Sequence, residues 1–322
     1  MNKQLSLHDL PRFDDKLTYL YVEHAVVDQE ERAIAVHRAD GITSVPVAAL
    51  AVLIMGPGTK ITHEAVKTAA DNNCLILWAG EHGVRFYAQG MGGTRHSRNL
   101  IHQARLVSHP ILRLQVVVRM YQMRFDDLPD PGLTLQQLRG KEGIRVRQAY
   151  ADAAREHGIT WQGRSYKRQD WNAADPVNRA LSAANACLYG LAHAAILSGG
   201  YSPALGFVHT GKQLSFVYDV ADLYKARYIV PIAFKLAAQN PMNLEREVRL
   251  ACRDCFREGK LAASILPDIA AALAVPKELA EAAEADYADD PALPADWWTP
   301  TGIGAETPVG QILAMAPAAP GT

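Results

Sequence analysis

The chain has 322 residues, of which 49% are hydrophobic and 21% charged, and its formal net charge is −1. This composition is typical of a globular protein with one large domain or two ordinary ones. No apolar run approaches the roughly 18 residues of a membrane span, and the polar residues 1–15 lack the apolar core of a signal peptide, so we expect a cytoplasmic protein without a membrane partner.

The first ninety residues have the composition of short strands interrupted by one helix. Strands are predicted at 17–22, 33–36, 48–55, 75–78 and 84–87. Thr62 is a credible N-cap for the single helix, and turns are expected at 40–41 and 56–58. We therefore predict a small β-rich N-terminal domain at residues 1–90, ending in the glycine-rich stretch 90–93.

Helical periodicity dominates from residue 94 onward. Helices are predicted at 111–118, 135–155, 176–191, 216–228, 245–256 and 261–273. Pro176 should open one helix, and Pro231 should kink or end another. The expected fold class is α+β, with a larger all-helical catalytic domain at 94–275. An acidic Ala/Pro-rich tail at 276–322 is expected to be partly disordered or ordered only on a partner.

The net charge is an average over unlike regions. Residues 276–322 carry eight acidic residues and one basic residue, a balance of −7, which leaves +6 for residues 1–275. Within these, residues 82–125 contain no Asp or Glu but seven arginines. Such a segment is a plausible footprint for a polyanion, although a solvated helical face would have the same composition.

Four cysteines are too few and too scattered for a disulfide framework. Cys252 and Cys255 form a single C-x-x-C, and no second pair at a suitable spacing could complete a zinc site. We expect two thiols on one helix.

An imidazole, an ammonium and two carboxylates fall close together in the segment from His209 and Lys212 to Asp219 and Asp222. Upstream, Glu142 lies in a neighbourhood rich in arginine. Carboxylates and a histidine among cationic residues can hold a divalent ion against a phosphodiester, so we predict metal-dependent chemistry on DNA.

Each of these residues also has a structural interpretation. The two aspartates could complement a helix dipole, His209 could be a hydrogen-bonded core residue, and Glu142 could be an exposed partner of Arg145. Only convergence of these side chains in the fold would make a metal site.

Four arginines share one helical face along the predicted helix at 245–256 and the residue that follows it: Arg246, Arg249, Arg253 and Arg257. They could follow a phosphate backbone. Because acids are interleaved with them, ion pairs within the helix are an equally good interpretation.

Three motifs resemble the CRISPR-associated integrase of spacer acquisition ("Cas-one") in its type I-E form, and a fourth matches the family's earlier motif. They are the segments 206–212, 215–222 and 246–254, and residues 138–143. The resemblance runs from about residue 14 to residue 256, with the motifs in the family's order.

This resemblance implies a β-rich domain followed by a helical catalytic domain. It implies Glu142, His209 and Asp222 as ligands of one Mg²⁺ or Mn²⁺, with Asp219 beside them as a further catalytic residue. It implies double-stranded DNA, both protospacer and repeat, as the partner, and DNA contacts at five positions: Arg85, Lys212, Lys225, Arg246 and Arg249. It also implies homodimers bridged by a small partner ("Cas-two").

The expected reaction is attack of a 3′-hydroxyl of short DNA on a phosphodiester at the border of a repeat. Two alternatives stay open at this point. A stand-alone endonuclease would use water at the same site on branched DNA, and a non-catalytic DNA-binding scaffold would use the acids only structurally.

Overall fold

The computed structural model describes residues 18–30, 33–80, 86–90, 97–125, 132–163 and 175–274. The chain divides into two units, residues 1–279 and 280–322. The second unit, and with it the predicted tail from residue 276, lies outside the described residues.

The strands of the described residues form two four-stranded sheets. Their bounds are β1 Thr18–Val22, β2 Val26–Glu30, β3 Ala33–Arg38, β4 Gly41–Val45, β5 Leu50–Met55, β6 Lys60–Ile61, β7 Leu75–Ala79 and β8 Phe86–Gln89. The first sheet has the order β1-β5-β7-β8, in which the first three strands are parallel and β8 is antiparallel to β7. The second has the order β4-β3-β2-β6.

Five of these strands were predicted from composition, and three were missed. The missed strands are β2, β4 and β6. β6 has two residues, β4 is exposed along most of its length, and β2 ends on Asp28-Gln29-Glu30. None of them carries the apolar alternation from which a strand is recognised.

Nine α-helices lie in the described ranges. They are α1 His63–Asp71, α2 Arg98–Ser108, α3 Pro110–Gln122, α4 Leu135–Glu156, α5 Pro176–Ser198, α6 Ser215–Ala221, α7 Val230–Gln239, α8 Leu244–Glu258 and α9 Leu261–Leu273. Two predicted helix starts are confirmed: the Thr62 side chain caps α1 by accepting a hydrogen bond from the Ala65 N–H, and Pro176 stands in the first turn of α5. The two thiols of the C-x-x-C lie on α8 and are free.

The central element is α5, most of whose side chains are buried. Its most apolar window has a mean hydropathy of 1.4, enough by length and composition to cross a membrane, but 89% of that window is buried inside the protein. Burial in the core therefore accounts for its composition. Gly190 lets α5 approach the first sheet closely, because a Cβ there would stand 2.8 Å from the Ile54 side chain.

One predicted helix was wrong. The segment expected to be a single helix at 216–228 ends as α6 at Ala221, and a π-helical turn follows at Lys225–Ile229. Pro231 does not end a helix but stands in the first turn of α7, where its missing N–H leaves no bond unmade.

The α+β fold class is confirmed: the described strands end at Gln89, and long helices occupy the chain from Arg98 to Leu273. The main hydrophobic core contains residues of the first sheet, such as Val52 and Leu77, together with residues of α5 such as Leu188. The domain boundaries near residues 90 and 276 stay predictions.

Candidate metal centre

Asp219 organises the loop that precedes it. The side chain is fully buried in α6 and accepts hydrogen bonds from the backbone N–H groups of Phe207 (2.6 Å), Val208 (3.0 Å) and His209 (2.8 Å). Bonds to the charged form of a carboxylate compensate for its burial. The aspartate therefore fixes the backbone of the 207–209 loop.

The same carboxylate orients the imidazole of His209. The Nδ1 atom lies 2.7 Å from Asp219 Oδ1, and because a carboxylate only accepts, Nδ1 carries the proton. The Nε2 lone pair is then available, and this atom lies 4.0 Å from Asp222 Oδ2. A carboxylate that holds the far nitrogen of a histidine is the usual support for a metal-ligating imidazole.

Residues far along the chain anchor this loop. Gln103 on α2 is fully buried and donates to the carbonyls of Ser202 and Leu205. Arg113 on α3 donates from Nε and Nη2 to the Phe207 carbonyl at 3.2 and 2.9 Å. Gly206 is required by a close approach, since a Cβ there would collide with the His209 carbonyl oxygen.

Asp222 has a different environment from Asp219, although both lie near the same histidine. It caps the C-terminus of α6 and pairs with Lys225, whose Nζ lies 2.6 Å from Oδ1. Burial works against the charge on Lys225, but the Asp222 carboxylate outweighs it and raises the lysine pKa above its usual value. Lys225 also packs over the ring of Tyr189, with Nζ 4.9 Å from the ring centre.

Glu142 is buried on α4, with 5% of its surface exposed. Arg145 binds it through two contacts, Nε to Oε2 at 2.8 Å and Nη2 to Oε1 at 3.1 Å. Glu142 is thus a partner of Arg145, as one interpretation of the sequence expected, but Glu142 is buried and not exposed.

Arg124, just beyond the end of α3, joins Glu142 to Asp222. Its Nη1 lies 3.5 Å from Glu142 Oε1 and its Nη2 lies 3.9 Å from Asp222 Oδ2. The sequence did not single out Arg124, which is one of seven arginines in the acid-free segment 82–125. Within the described ranges, no three His, Cys, Asp or Glu side chains converge closely enough to hold a metal ion as they stand.

The predicted ligands nonetheless fit a divalent cation by their chemistry. Two carboxylates and an imidazole with a free Nε2 suit Mg²⁺ or Mn²⁺. The guanidinium between Glu142 and Asp222 marks a position where these carboxylates attract positive charge. Asp219 is not part of this set, because both of its oxygens are taken by the 207–209 loop.

The predicted DNA contacts differ in exposure. Lys212 is exposed in the loop between Gly211 and α6, and Arg246 is 64% exposed. Arg249 is 16% exposed and packs over the Tyr21 ring at 4.9 Å, while Lys225 pairs with Asp222. Arg85 lies outside the described residues.

Ion pairs account for much of the positive charge that the sequence showed. On α8, Arg246 pairs with Glu247, and both Arg253 and Arg257 pair with Asp254. In the acid-free segment, the Arg119 guanidinium donates to the Ala272 carbonyl at 2.7 Å. These contacts favour a structural role for some of the arginines on α8 and for Arg119 in the acid-free segment.

The part of the chain that holds Glu142 and Asp222 matches a family model. The model for CRISPR associated protein Cas1 matches residues 126–250. The chain is 52% identical over 91% of its length to a CRISPR-associated endonuclease Cas1 of Thermus thermophilus, of which it covers 90%. It is 45% identical over 84% of its length to the CRISPR-associated endonuclease Cas1 of Escherichia coli K12, of which it covers 88%.

Solved structures agree. A crystal structure of a TtCas1–DNA complex has a TM-score of 0.63 and 55% sequence identity, covering 83% of this chain and all of its own. A CAS1 protein from Thermotoga maritima, at 13% identity, has a TM-score of 0.62 over 82% of this chain and 96% of its own, which supports the fold alone. Identity of this extent to the Thermus and Escherichia proteins shows that the chain belongs to the Cas1 family of CRISPR-associated proteins.

Proposed function

We propose that this protein is a metal-dependent DNA integrase of CRISPR spacer acquisition, of the type I-E form, that joins short protospacer DNA to a repeat array. The family membership and the names of its relatives, which are endonucleases, support an enzyme that acts on phosphodiesters. The observation that carries the proposal is the orientation of His209, whose Nδ1 is bound by Asp219 and whose free Nε2 lies 4.0 Å from Asp222.

Glu142, His209 and Asp222 would hold the Mg²⁺ or Mn²⁺ ion. When bound, such an ion polarises a phosphate oxygen and stabilises charge on the attacking or departing oxygen. Asp219 acts without touching it, by fixing the proton of His209 on Nδ1 and the backbone that carries the ring.

The cationic residues around these ligands would bind the phosphate groups. Lys212 is exposed beside the His209 loop, and the charge on Lys225 is secured by Asp222. Both ammonium groups can neutralise the crowded phosphates of two DNA strands. If His209 does not ligate the ion, its free Nε2 would accept the proton of the attacking 3′-hydroxyl as a general base.

The partners belong to the same proposal. The complex of TtCas1 with DNA supports DNA as the ligand. The motif resemblance is the ground for proposing DNA contacts at Arg85, Lys212, Lys225, Arg246 and Arg249. We further propose a homodimer, bridged to a second dimer by the small partner protein Cas-two, working in the cytoplasm.

A joining assay tests the function. Protospacer duplex, repeat DNA and the bridging partner are incubated with Mn²⁺ and either the wild-type protein, Asp222→Ala or Asp152→Ala. Asp152 is a matched control, because it is an acid in a surface ion pair with Arg155. Asp222→Ala should lose the joined product while keeping its fold and its oligomeric state, and Asp152→Ala should retain both product and fold.

The alternatives give different outcomes in this assay. Cleaved strands without a joined product would contradict the integrase and favour the stand-alone endonuclease. Unchanged DNA processing by Asp222→Ala would contradict both enzymes and leave the DNA-binding scaffold.

A further inference from the structure

We infer that Arg124 is an internal counter-ion that competes with the divalent cation for Glu142 and Asp222, so that its guanidinium must leave these carboxylates before they can hold the ion. This inference rests on the proposed function, since it assumes that both carboxylates are ligands. It assigns Arg124 a role in setting metal affinity, as a positioning residue that does not touch the DNA.

The position of the guanidinium is the first argument. Its two terminal nitrogens reach separate carboxylates, Nη1 to Glu142 at 3.5 Å and Nη2 to Asp222 at 3.9 Å. Glu142 comes from α4 and Asp222 from the end of α6, and Arg124 is the described cation that contacts both. A metal ion held by the same two carboxylates would need the space or the oxygens that Arg124 now uses.

The second argument is that Arg124 is poorly satisfied where it lies. The side chain is 6% exposed, and its Nε and Nη2 atoms are buried without a hydrogen-bond partner in the part of the chain that the structure describes. Its described contacts are one long hydrogen bond to Glu142, the 3.9 Å charge contact with Asp222 and the face of the Tyr121 ring at 5.0 Å. A buried charge with so few bonds is weakly stabilised, so a divalent ion can displace it.

The third argument is that neither carboxylate depends on Arg124. Glu142 keeps two short contacts with Arg145, and Asp222 keeps the 2.6 Å contact with Lys225. Three cations therefore share two carboxylates. Arg145 and Lys225 are 30% and 27% exposed and can turn toward solvent when an ion binds. The buried Arg124 is therefore the cation whose displacement limits metal binding.

The experiment measures Mn²⁺ binding by calorimetry on the full chain, with Arg124→Met, Arg124→Lys and Arg179→Met beside the wild type. Arg179→Met is the matched control, because it removes a partly buried arginine that is paired with Glu245 and not with a predicted ligand. We expect Arg124→Met to bind Mn²⁺ at least tenfold more tightly than the wild type. Arg124→Lys, which keeps the charge, and the control should have Mn²⁺ affinities within threefold of the wild type.

Two outcomes would overturn the inference alone. One is Mn²⁺ binding that depends on Asp222 but is unchanged or weaker in Arg124→Met, as a purely supportive role predicts. The other is equal tightening in Arg124→Lys, which would exclude charge as the cause. Absence of Mn²⁺ binding by both the wild type and Arg124→Met would overturn the inference together with the proposed function.

A second measurement does not depend on a variant. Crystal structures of the wild-type protein with and without Mn²⁺ should show Arg124 bonded to Glu142 only in the metal-free crystal. A guanidinium that remains on Glu142 while Glu142 ligates the ion would contradict the inference, even if Arg124→Met does not fold.

Discussion

The two sides of the candidate metal centre are built in opposite ways. The His209 side consists of residues 206–209 and Asp219, and every described contact of the Asp219 carboxylate is short, between 2.6 and 3.0 Å. The Glu142 side consists of Glu142, Arg124 and Arg145, and the contacts that link it to Asp222 are 3.5 and 3.9 Å long. The His209 side is a completed hydrogen-bond network, whereas Arg124 links the Glu142 side to Asp222 only through long charge contacts.

This difference follows from which parts of the chain supply each side. Asp219 binds backbone groups ten to twelve residues away, on a loop that leads into its own helix. Glu142, Arg124 and Asp222 come from three separate segments of the helical region. A network of backbone bonds resists movement, whereas loosely paired charges respond to an added ion. We therefore expect the His209 side to be rigid and the Glu142 side to change on metal binding.

The largest effect should come from Asp219→Ala. The substitution leaves three backbone donors and the His209 ring without an acceptor, and we expect it to lower the free energy of unfolding by about 3–5 kcal/mol. Asp222→Ala, on a side chain that is 20% exposed, should cost about 1 kcal/mol or less. Urea unfolding of both variants measures the difference. Equal losses would contradict the difference between the buried hydrogen-bond network of Asp219 and the partly exposed charge pair of Asp222.

A buried histidine away from the site has no hydrogen-bond partner among the described residues. His193 on α5 is 2% exposed, neither of its ring nitrogens bonds to a described residue, and burial lowers its pKa to about 4. The unfolded chain takes up this proton near the ordinary pKa of about 6.5, whereas the folded protein does not. Folding stability is therefore lost as the pH falls from about 6.5 to about 4, by about 3 kcal/mol in total.

The free energy of unfolding of the wild type and of His193→Leu, measured between pH 7.5 and pH 5, tests this pH dependence. The variant should lose less stability over that interval than the wild type. Parallel curves would mean that His193 titrates with its ordinary pKa in the folded protein.

Glycine substitutions extend the comparison to the backbone. A Cβ at Gly206, on the His209 side, would meet the His209 carbonyl and stand 2.7 Å from the Ser215 Cβ, so Gly206→Ala should destabilise by about 1–3 kcal/mol. Gly140, on the helix that carries Glu142, has open space around its Cβ position. Gly140→Ala should stabilise by about 0.5–1 kcal/mol. Thermal unfolding measures the stability of both variants. Destabilisation by Gly140→Ala would contradict the open space at this position of α4.

The smallest effects on stability are expected at the surface arginines of α8. Arg246→Ala and Arg253→Ala remove side chains that are 64% and 42% exposed, so each should change the unfolding free energy by about 0.5 kcal/mol or less. If Arg246 contacts a phosphate, its loss should also make the slope of log DNA affinity against log salt concentration shallower by about one. Affinities measured at several salt concentrations separate the phosphate contact from a purely intrahelical ion pair.

Local patterns predicted most of the fold but not the site. The helix starts at Thr62 and Pro176 and most helix bounds follow from patterns along the chain, because capping, proline placement and periodicity are local properties. The break after Ala221 was missed because the amphipathic pattern continues through it. Arg124 and Arg113 had no local signal, since an arginine that reaches inward has the same neighbours in sequence as an exposed one.

Composition and periodicity along the chain were enough to predict the fold class and the residue types of the candidate site, and the motifs were enough to predict the family. The separate roles of those residues follow only from the folded structure. Asp219 binds the loop and His209, Asp222 contacts two cations, and Arg124 lies between Glu142 and Asp222. The physical reason is that hydrogen-bond saturation and charge pairing depend on distances between atoms of different helices. No spacing along one chain specifies those distances.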